Sequence, residues 1–409
     1  MSGIMLVRGA RQLLTLHGAT EARRGPALQE LGIIRDGALL IVDGRVVEVG
    51  PSRRVENLAQ AHRCQEIDAM GRVVMPGFVD CHTHLVWGAG WLDDFDARPA
   101  EAAKDTALDP ICPIGVLRNA SGKRLQSRAR EWIHGMVRHG TTTLGAQSGY
   151  GLDQRAELKI LRVHARLNRA PLDIASTFLA ACDVPALLGM PSDLLAAVHR
   201  RNLARFAGVR HDGRTCGLDQ SRNYLETARS LGFQLKVQAG NGFTAEAVRL
   251  AVQMGAVSVD HIGAGSLADL ELLAASNTIA VLLPGSAFHC GNGGCAPARK
   301  LIDGGAAVAL GSDFNPRTNP SYNMQTIVAL ACAHLGMSPA EAICAATFNA
   351  ACAIGAGQVA GSLEAGKPAD LIVLNAADYR EIPYHFGVNL VHRTVKRGVT
   401  IYEEGSVAR

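Results

Sequence analysis

Two histidines one residue apart, His82 and His84, close an apolar run that begins at Met75 (MPGFVDCHTHL). Side chains along a strand alternate between its faces. Both imidazoles therefore project to one side, at the run's C-terminal end. Paired neutral imidazoles suit a divalent transition metal such as zinc or iron. Asp80 falls on the same face, where it could orient a histidine through a hydrogen bond. Much later, the run Val308–Pro316 (VALGSDFNP) carries Asp313. Its carboxylate could join the metal and accept a proton from water, the chemistry of metal-assisted hydrolysis. Taken alone, Asp313 also reads as a helix N-cap on a βα loop. A third run, Val257–Ile262 (VSVDHI), ends in His261. A lone histidine at a strand end is ordinarily structural, but beside an H-x-H pair on one rim it becomes a functional candidate.

That condition depends on the elements carrying these residues. From residue 75 to 366 the chain alternates strand-like runs with helical ones. The strands are expected at Gly140–Ala146, Leu172–Ala181, Arg205–His211, Gln234–Ala239, Ala256–Ile262, Ile279–Pro284 and Ala306–Gly311. Helices are expected at Leu125–Arg138, Gln154–Leu167, Gln220–Leu231 and Thr244–Met254. Repeated βα units predict an α/β fold with a parallel sheet, most economically a (β/α)8 TIM barrel, whose active sites lie at the C-terminal strand ends. A doubly wound open sheet is the alternative, but no glycine-rich nucleotide fingerprint follows an early strand. Both termini read as β-structure. Gly37–Val49 is a hairpin turning at Asp43-Gly44, and Gln65–Val74 repeats the strand–turn–strand pattern. Ala369–Leu374 and His392–Tyr402, the latter turning at Arg397-Gly398, match them. Residues 1–74 and 367–409 are thus expected to form one small β-sandwich domain around a barrel of residues 75–366.

Composition agrees with an enzyme of this kind. Of 409 residues, 48% are hydrophobic and 19% charged, which excludes general disorder. The net charge of +4 is thin and dispersed, so neither nucleic acid nor a membrane surface is an expected partner. No run approaches the ~18 apolar residues of a membrane span. The N-terminal residues lack the apolar core of a signal peptide. Several of the ten cysteines sit in apolar runs as small hydrophobes, so a cytoplasmic location is expected. The 44 glycines mark tight strand–helix connections. The segment 285–297 (GSAFHCGNGGCAP) matches no structural zinc spacing and reads as a loop over the barrel mouth.

Beyond this point the residues resemble the amidohydrolase superfamily and, within it, most closely the imidazolonepropionases. The marks are CHTHLVWG at 81–88, GTTTLGAQSGYGLD at 140–153, TFLAACDVP at 177–185, DHI at 260–262, ALGSDFNPRTNP at 309–320 and GKPADLIVLN at 366–375. The resemblance spans nearly the whole chain. It implies a barrel with a small β-sandwich and a metal-dependent cleavage of a C–N bond in a cyclic amide or imidazolone-type heterocycle. It also implies one divalent ion, zinc or iron, a small-molecule substrate and a homodimer. His82, His84 and Asp313 would be metal ligands, and His261 would stand beside the reacting water. Tyr150, Asn315 and Thr318 would line the substrate pocket.

The chain departs from that family at several positions. Gln238 stands where a metal-binding histidine ends the fifth strand, so its carbonyl is the candidate ligand there. Asn241, Cys182 and Trp91 replace, in turn, a ring-contacting Glu or Gln, a histidine and a carboxylate-binding arginine. Gly145 and Gln147 replace a Glu and a Lys, and Arg317 stands where a glycine is usual. Two outcomes follow: a diverged hydrolase in which Arg317 supplies the positive charge that Trp91 does not, or a barrel that binds a small molecule or partner without turnover. His211 and Cys182 are the residues that could restore a ligand in place of Gln238.

Overall fold

The computed structural model describes residues 3–58, 61, 64–90, 92, 111–181, 192–212, 217–240, 244–263, 265–291 and 297–406. Eight strands form the central sheet: β6 (Phe78–Thr83), β7 (Thr141–Gln147), β8 (Asp173–Ala181), β9 (Phe206–His211), β10 (Gln234–Ala239), β11 (Ser258–Asp260), β12 (Ile279–Leu282) and β13 (Val308–Leu310). They lie in sequence order and every neighbouring pair is parallel. The expected βα alternation and barrel are therefore present. The expected helices appear within two or three residues of their limits, as Gly122–Arg138, Gln154–Leu167, Leu218–Ser230 and Thr244–Gln253. The first is capped by Ser121, which accepts from the Arg124 amide, and the second by Asp153, which accepts from Ala156.

The barrel closes beyond the last strand. Between β13 and β6 the chain continues past Leu310, and the Asp313 amide donates to the His82 carbonyl at 2.9 Å. The His84 amide in turn donates to the Phe314 carbonyl at 2.7 Å. Side chains complete the seam. Asp80 accepts from the Ser312 amide at 2.9 Å and from its hydroxyl at 2.5 Å.

The termini build a second, mixed sheet from β1 (Ile4–Leu14), β2 (Ile33–Val42), β3 (Arg45–Pro51), β4 (Gln65–Asp68), β5 (Val73–Pro76), β14 (Leu371–Leu374), β15 (Val391–Lys396) and β16 (Val399–Glu403). Its order is β16-β15-β14-β5-β1-β2-β3, with β4 also on β1. Both expected hairpin turns have left-handed central residues: Asp43 and Gly44 at φ 51° and 76°, Arg397 and Gly398 at 48° and 68°. The two turns pack on each other, and a Cβ on Gly44 would lie 2.5 Å from the Arg397 carbonyl oxygen. Gln65–Val74 departs from the expected strand–turn–strand unit. β4 and β5 do not pair with each other; both run parallel to β1. The Ala69 amide donates to Arg8 and Met70 bridges Ala10, so the chain stays alongside β1 instead of doubling back.

Alternation splits this sheet between two cores. Val74, Leu371 and Val373 join Leu39, Ile41 and Val46 in a cluster on one face of this sheet, whereas Val73, Met75, Ile372 and Leu374 pack into the large barrel cluster. No helix among the described residues is long and apolar enough to cross a membrane. Cys64, Cys81, Cys290, Cys332, Cys344 and Cys352 are free thiols. The 285–297 segment is not simply a loop, because Pro284–Cys290 is helical and stops at Gly291, which is left-handed.

Candidate metal centre

The site stands at the C-terminal rim, on the seam. His82 and His84, on or just past β6, meet Asp313, just past β13, and one ligating atom from each lies within 4.8 Å of the others. All three are buried. His261 follows β11; its ring centroid is 5.1 Å from that of His82, and its Nε2 is 3.5 Å from Asp313 Oδ1. His261 and Asp313 take left-handed φ values of 61° and 54°, which non-glycine residues rarely adopt outside constrained sites.

The donors fit a cation. His82 Nε2, His84 Nδ1, His261 Nε2 and Gln238 Oε1 are buried atoms without a hydrogen-bond partner among the described residues. Buried polar atoms are ordinarily satisfied, so three such imidazole nitrogens around one carboxylate fit a positive ion that draws on their lone pairs. Burial pushes the His84 imidazole down to about 3, which keeps it neutral. Asp313 is raised by burial, but the imidazoles of His261 and His82 outweigh this and hold it well below the usual carboxylate range. Its Oδ2 accepts from Ser286 at 2.6 Å and Thr318 at 2.9 Å. Oδ1 is left facing the histidines.

A second layer orients this set. His82 Nδ1 donates to Asp260 Oδ2 at 2.6 Å, and Asp260 Oδ1 accepts from Ser258 at 2.6 Å. Lys236 Nζ lies 3.6 Å from Asp260, an ion-pair distance too long for a hydrogen bond. Burial opposes ionisation of Asp260, yet Lys236 and His82 more than offset it. Asp80 meets His82 at its backbone amide, 3.4 Å away, and not at its ring. Its carboxylate is taken up by Ser312, and burial pushes it up to about 7.

Of the pocket residues, the Tyr150 ring packs edge-on to His84 at 4.8 Å and its hydroxyl donates to Asn315 at 3.2 Å. Asn315 Nδ2 donates to Thr318 Oγ1 at 2.5 Å, and the Arg317 amide donates back to Asn315. One loop thus brings Asn315, Arg317 and Thr318 to Asp313. Gln238 sits beside Asp260, its Cα partner in the β10–β11 ladder. Trp91, Cys182 and Asn241 lie outside the described residues. His211 supplies no replacement ligand: its ring nitrogens engage Ser221 at 3.1 Å and Glu246 at 2.9 Å. Gly145 and Gly240 leave no gap where a side chain has been lost. A Cβ on Gly145 would meet the Cys81 carbonyl at 2.4 Å, and one on Gly240 would meet the Asp212 backbone at 2.7 Å.

Sequence reasoning missed four contributors. Asp260 was within the DHI motif, where its neighbour drew the assignment. Ser286 lay in a segment read as a loop, and Ser312 beside Asp313. Glu157, three residues past the Gln154 helix start, is fully buried and accepts from the amides of Gly149, Gly151 and Leu152, shaping the loop that carries Tyr150. Only a buried acid facing three amides reveals that role, and no spacing encodes it.

Comparisons with known proteins agree with the geometry. A model of the amidohydrolase family matches residues 73–401. The chain is 39% identical to an imidazolonepropionase of Symbiobacterium thermophilum, covering 99% of each chain. It is 37% identical to an imidazolonepropionase of Geobacillus kaustophilus, covering 98% of this chain and 99% of that one. Among solved structures, E. coli guanine deaminase superposes with a TM-score of 0.73 at 16% identity, covering 98% of this chain and 100% of that one. A zinc-bound adenosine deaminase from Xanthomonas campestris gives 0.68 at 18% identity, covering 97% and 92%. At such identities the structures speak for the fold.

Proposed function

The chain belongs to the amidohydrolase family, and on that premise we propose that it is a metal-dependent hydrolase opening a C–N bond of a cyclic amide or imidazolone-type heterocycle. The observation carrying this reading is the convergence of His82, His84 and Asp313 within 4.8 Å, with buried imidazole nitrogens that have no hydrogen-bond partner among the described residues. His82, His84 and Asp313, with the carbonyl of Gln238, would hold one zinc or iron ion, which would supply Lewis acidity toward the scissile carbonyl and lower the pKa of water.

The protein's own groups manage the proton. Asp313 accepts it from the attacking water at Oδ1, the oxygen that Ser286 and Thr318 leave open. It passes the proton to the ring nitrogen as the C–N bond breaks, so nitrogen departs neutral. His261, 3.5 Å from Oδ1, steadies the carboxylate and faces the scissile bond. Tyr150, Asn315, Arg317 and Thr318, with Trp91, Cys182 and Asn241, orient the substrate in this reading. The protein works on a small molecule, not nucleic acid, in the cytoplasm and as a homodimer of two-part subunits divided as residues 1–74 with 367–409 and residues 75–366.

The test is metal analysis of protein purified with zinc and iron available, coupled to turnover of imidazolone propionate. About one ion per chain, with both ion and turnover lost in His82→Ala, is the expected result. Metal-free protein, or full occupancy in His82→Ala, overturns it. A second reading, binding without turnover, draws on the neutral carboxamide of Gln238 at a position where the family resemblance calls for histidine. Ring opening by the wild-type protein refutes that reading.

A further inference from the structure

At the end of the barrel opposite His82 and Asp313, a cavity of about 560 Å³ opens between the N-terminal ends of β7–β9 and the turns of the terminal sheet. Its ionisable lining residues are Arg45, Arg169, Arg205, Arg397 and one acid, Asp173. The metal-site reading uses none of them.

The acid is already compensated. Asp173 Oδ2 pairs with Lys396 Nζ at 2.8 Å and its Oδ1 with the Arg397 guanidinium, while Lys396 also pairs with Asp370 at 2.6 Å. Two carboxylates thus offset two cations. The other three arginines face no carboxylate at ion-pair distance among the described residues. Arg45 donates to the Gly366 carbonyl and Arg205 to the Gln234 amide oxygen, both neutral acceptors, and Arg169 has no side-chain partner there. Three positive charges therefore converge on one concavity without a counter-charge, a surplus that focuses field toward an anion.

The backbone is shaped around these groups. Two of the described non-glycine residues with left-handed φ line this cavity outside any hairpin turn, Arg169 at 66° and Asn202 at 49°. Such conformations persist where surrounding structure over-determines them. Gly355, left-handed at 65°, makes room for Arg205: a Cβ there would lie 2.6 Å from the guanidinium.

We propose that this cavity binds a small, multiply charged anion, a phosphate ester or polycarboxylate, gripped by Arg45 from the terminal sheet and by Arg169 and Arg205 from the barrel. Guanidinium groups present forked donors that match phosphate and carboxylate oxygens in pairs. The bound anion ties the two parts of the molecule together.

Titration calorimetry of the full chain with pyrophosphate and, separately, citrate tests this. Saturable binding of at least one probe is expected, weakened on the order of tenfold in Arg169→Ala and in Arg205→Ala and unchanged in Arg53→Ala, a distant exposed arginine. The preferred probe identifies the anion class. The thermal midpoint rises with that probe and levels off at saturation. Arg169 is exposed and its side chain has no partner among the described residues, so its variant folds even if Arg205→Ala does not. Absence of saturable binding with both probes at millimolar concentration overturns the proposal. So does binding that Arg317→Ala weakens and the cavity variants leave intact, since the anion would then sit at the other mouth.

Discussion

Asp260 Oδ2 lies 2.6 Å from Nδ1 of His82, while Nε2 of the same ring faces Asp313 Oδ1 at 3.7 Å. The carboxylate requires the proton on Nδ1 and so turns the Nε2 lone pair toward the metal position. Asp260→Asn keeps the shape and removes the charge that enforces this tautomer. It should weaken metal affinity by about 10–100-fold in chelator competition. Unchanged affinity would show that Asp260 is structural.

Gln238 offers one carbonyl oxygen, buried and without a partner among the described residues, where the family resemblance calls for an imidazole. Gln238→His should tighten zinc retention on the order of tenfold, because imidazole suits zinc better than a neutral amide oxygen. Dialysis against graded chelator reads the change. Weaker retention would mean that residue 238 does not face the ion.

The seam predicts stability. Ser312→Ala removes the hydroxyl donor to the buried Asp80 carboxyl and keeps the amide donor. The carboxyl is left with a poorer set of partners in a dry site. The cost should be about 1.5–3 kcal/mol in urea unfolding. A change under half a kilocalorie per mole would mean that backbone pairing alone closes the barrel.

His164, fully buried on the Gln154–Leu167 helix, has neither ring nitrogen partnered among the described residues, and burial pushes it down to about 3. The folded state thus keeps it neutral, whereas the unfolded chain protonates it below its ordinary 6.5. Its contribution to stability is present above pH 6.5 and lost as pH falls toward 3. Between pH 7.5 and 5.5 the loss should be about 1.4 kcal/mol. His164→Leu should remove that increment, measured as the difference in unfolding free energy between the two pH values. An identical pH slope in the variant would assign the effect to other groups.

Residue types and period by themselves determined the barrel, the composite terminal sheet and the pairing of His82 and His84, because alternation and helical periodicity are local properties of the chain. The hairpins at Asp43-Gly44 and Arg397-Gly398 were legible for the same reason: two left-handed residues make a turn without reference to anything distant. Tertiary structure alone decided which partners those residues meet. Asp80, two residues before His82, looked like its orienting acid, yet barrel closure hands Asp80 to Ser312 and brings Asp260 from a strand 178 positions away instead. Gly145 looked like a pocket position emptied of its side chain, but close approach of the Cys81 backbone fills it. The arginines around the second cavity come from four separate segments and share no motif. Contacts between strand ends depend on stagger and curvature of the closed barrel, and no linear spacing carries that information.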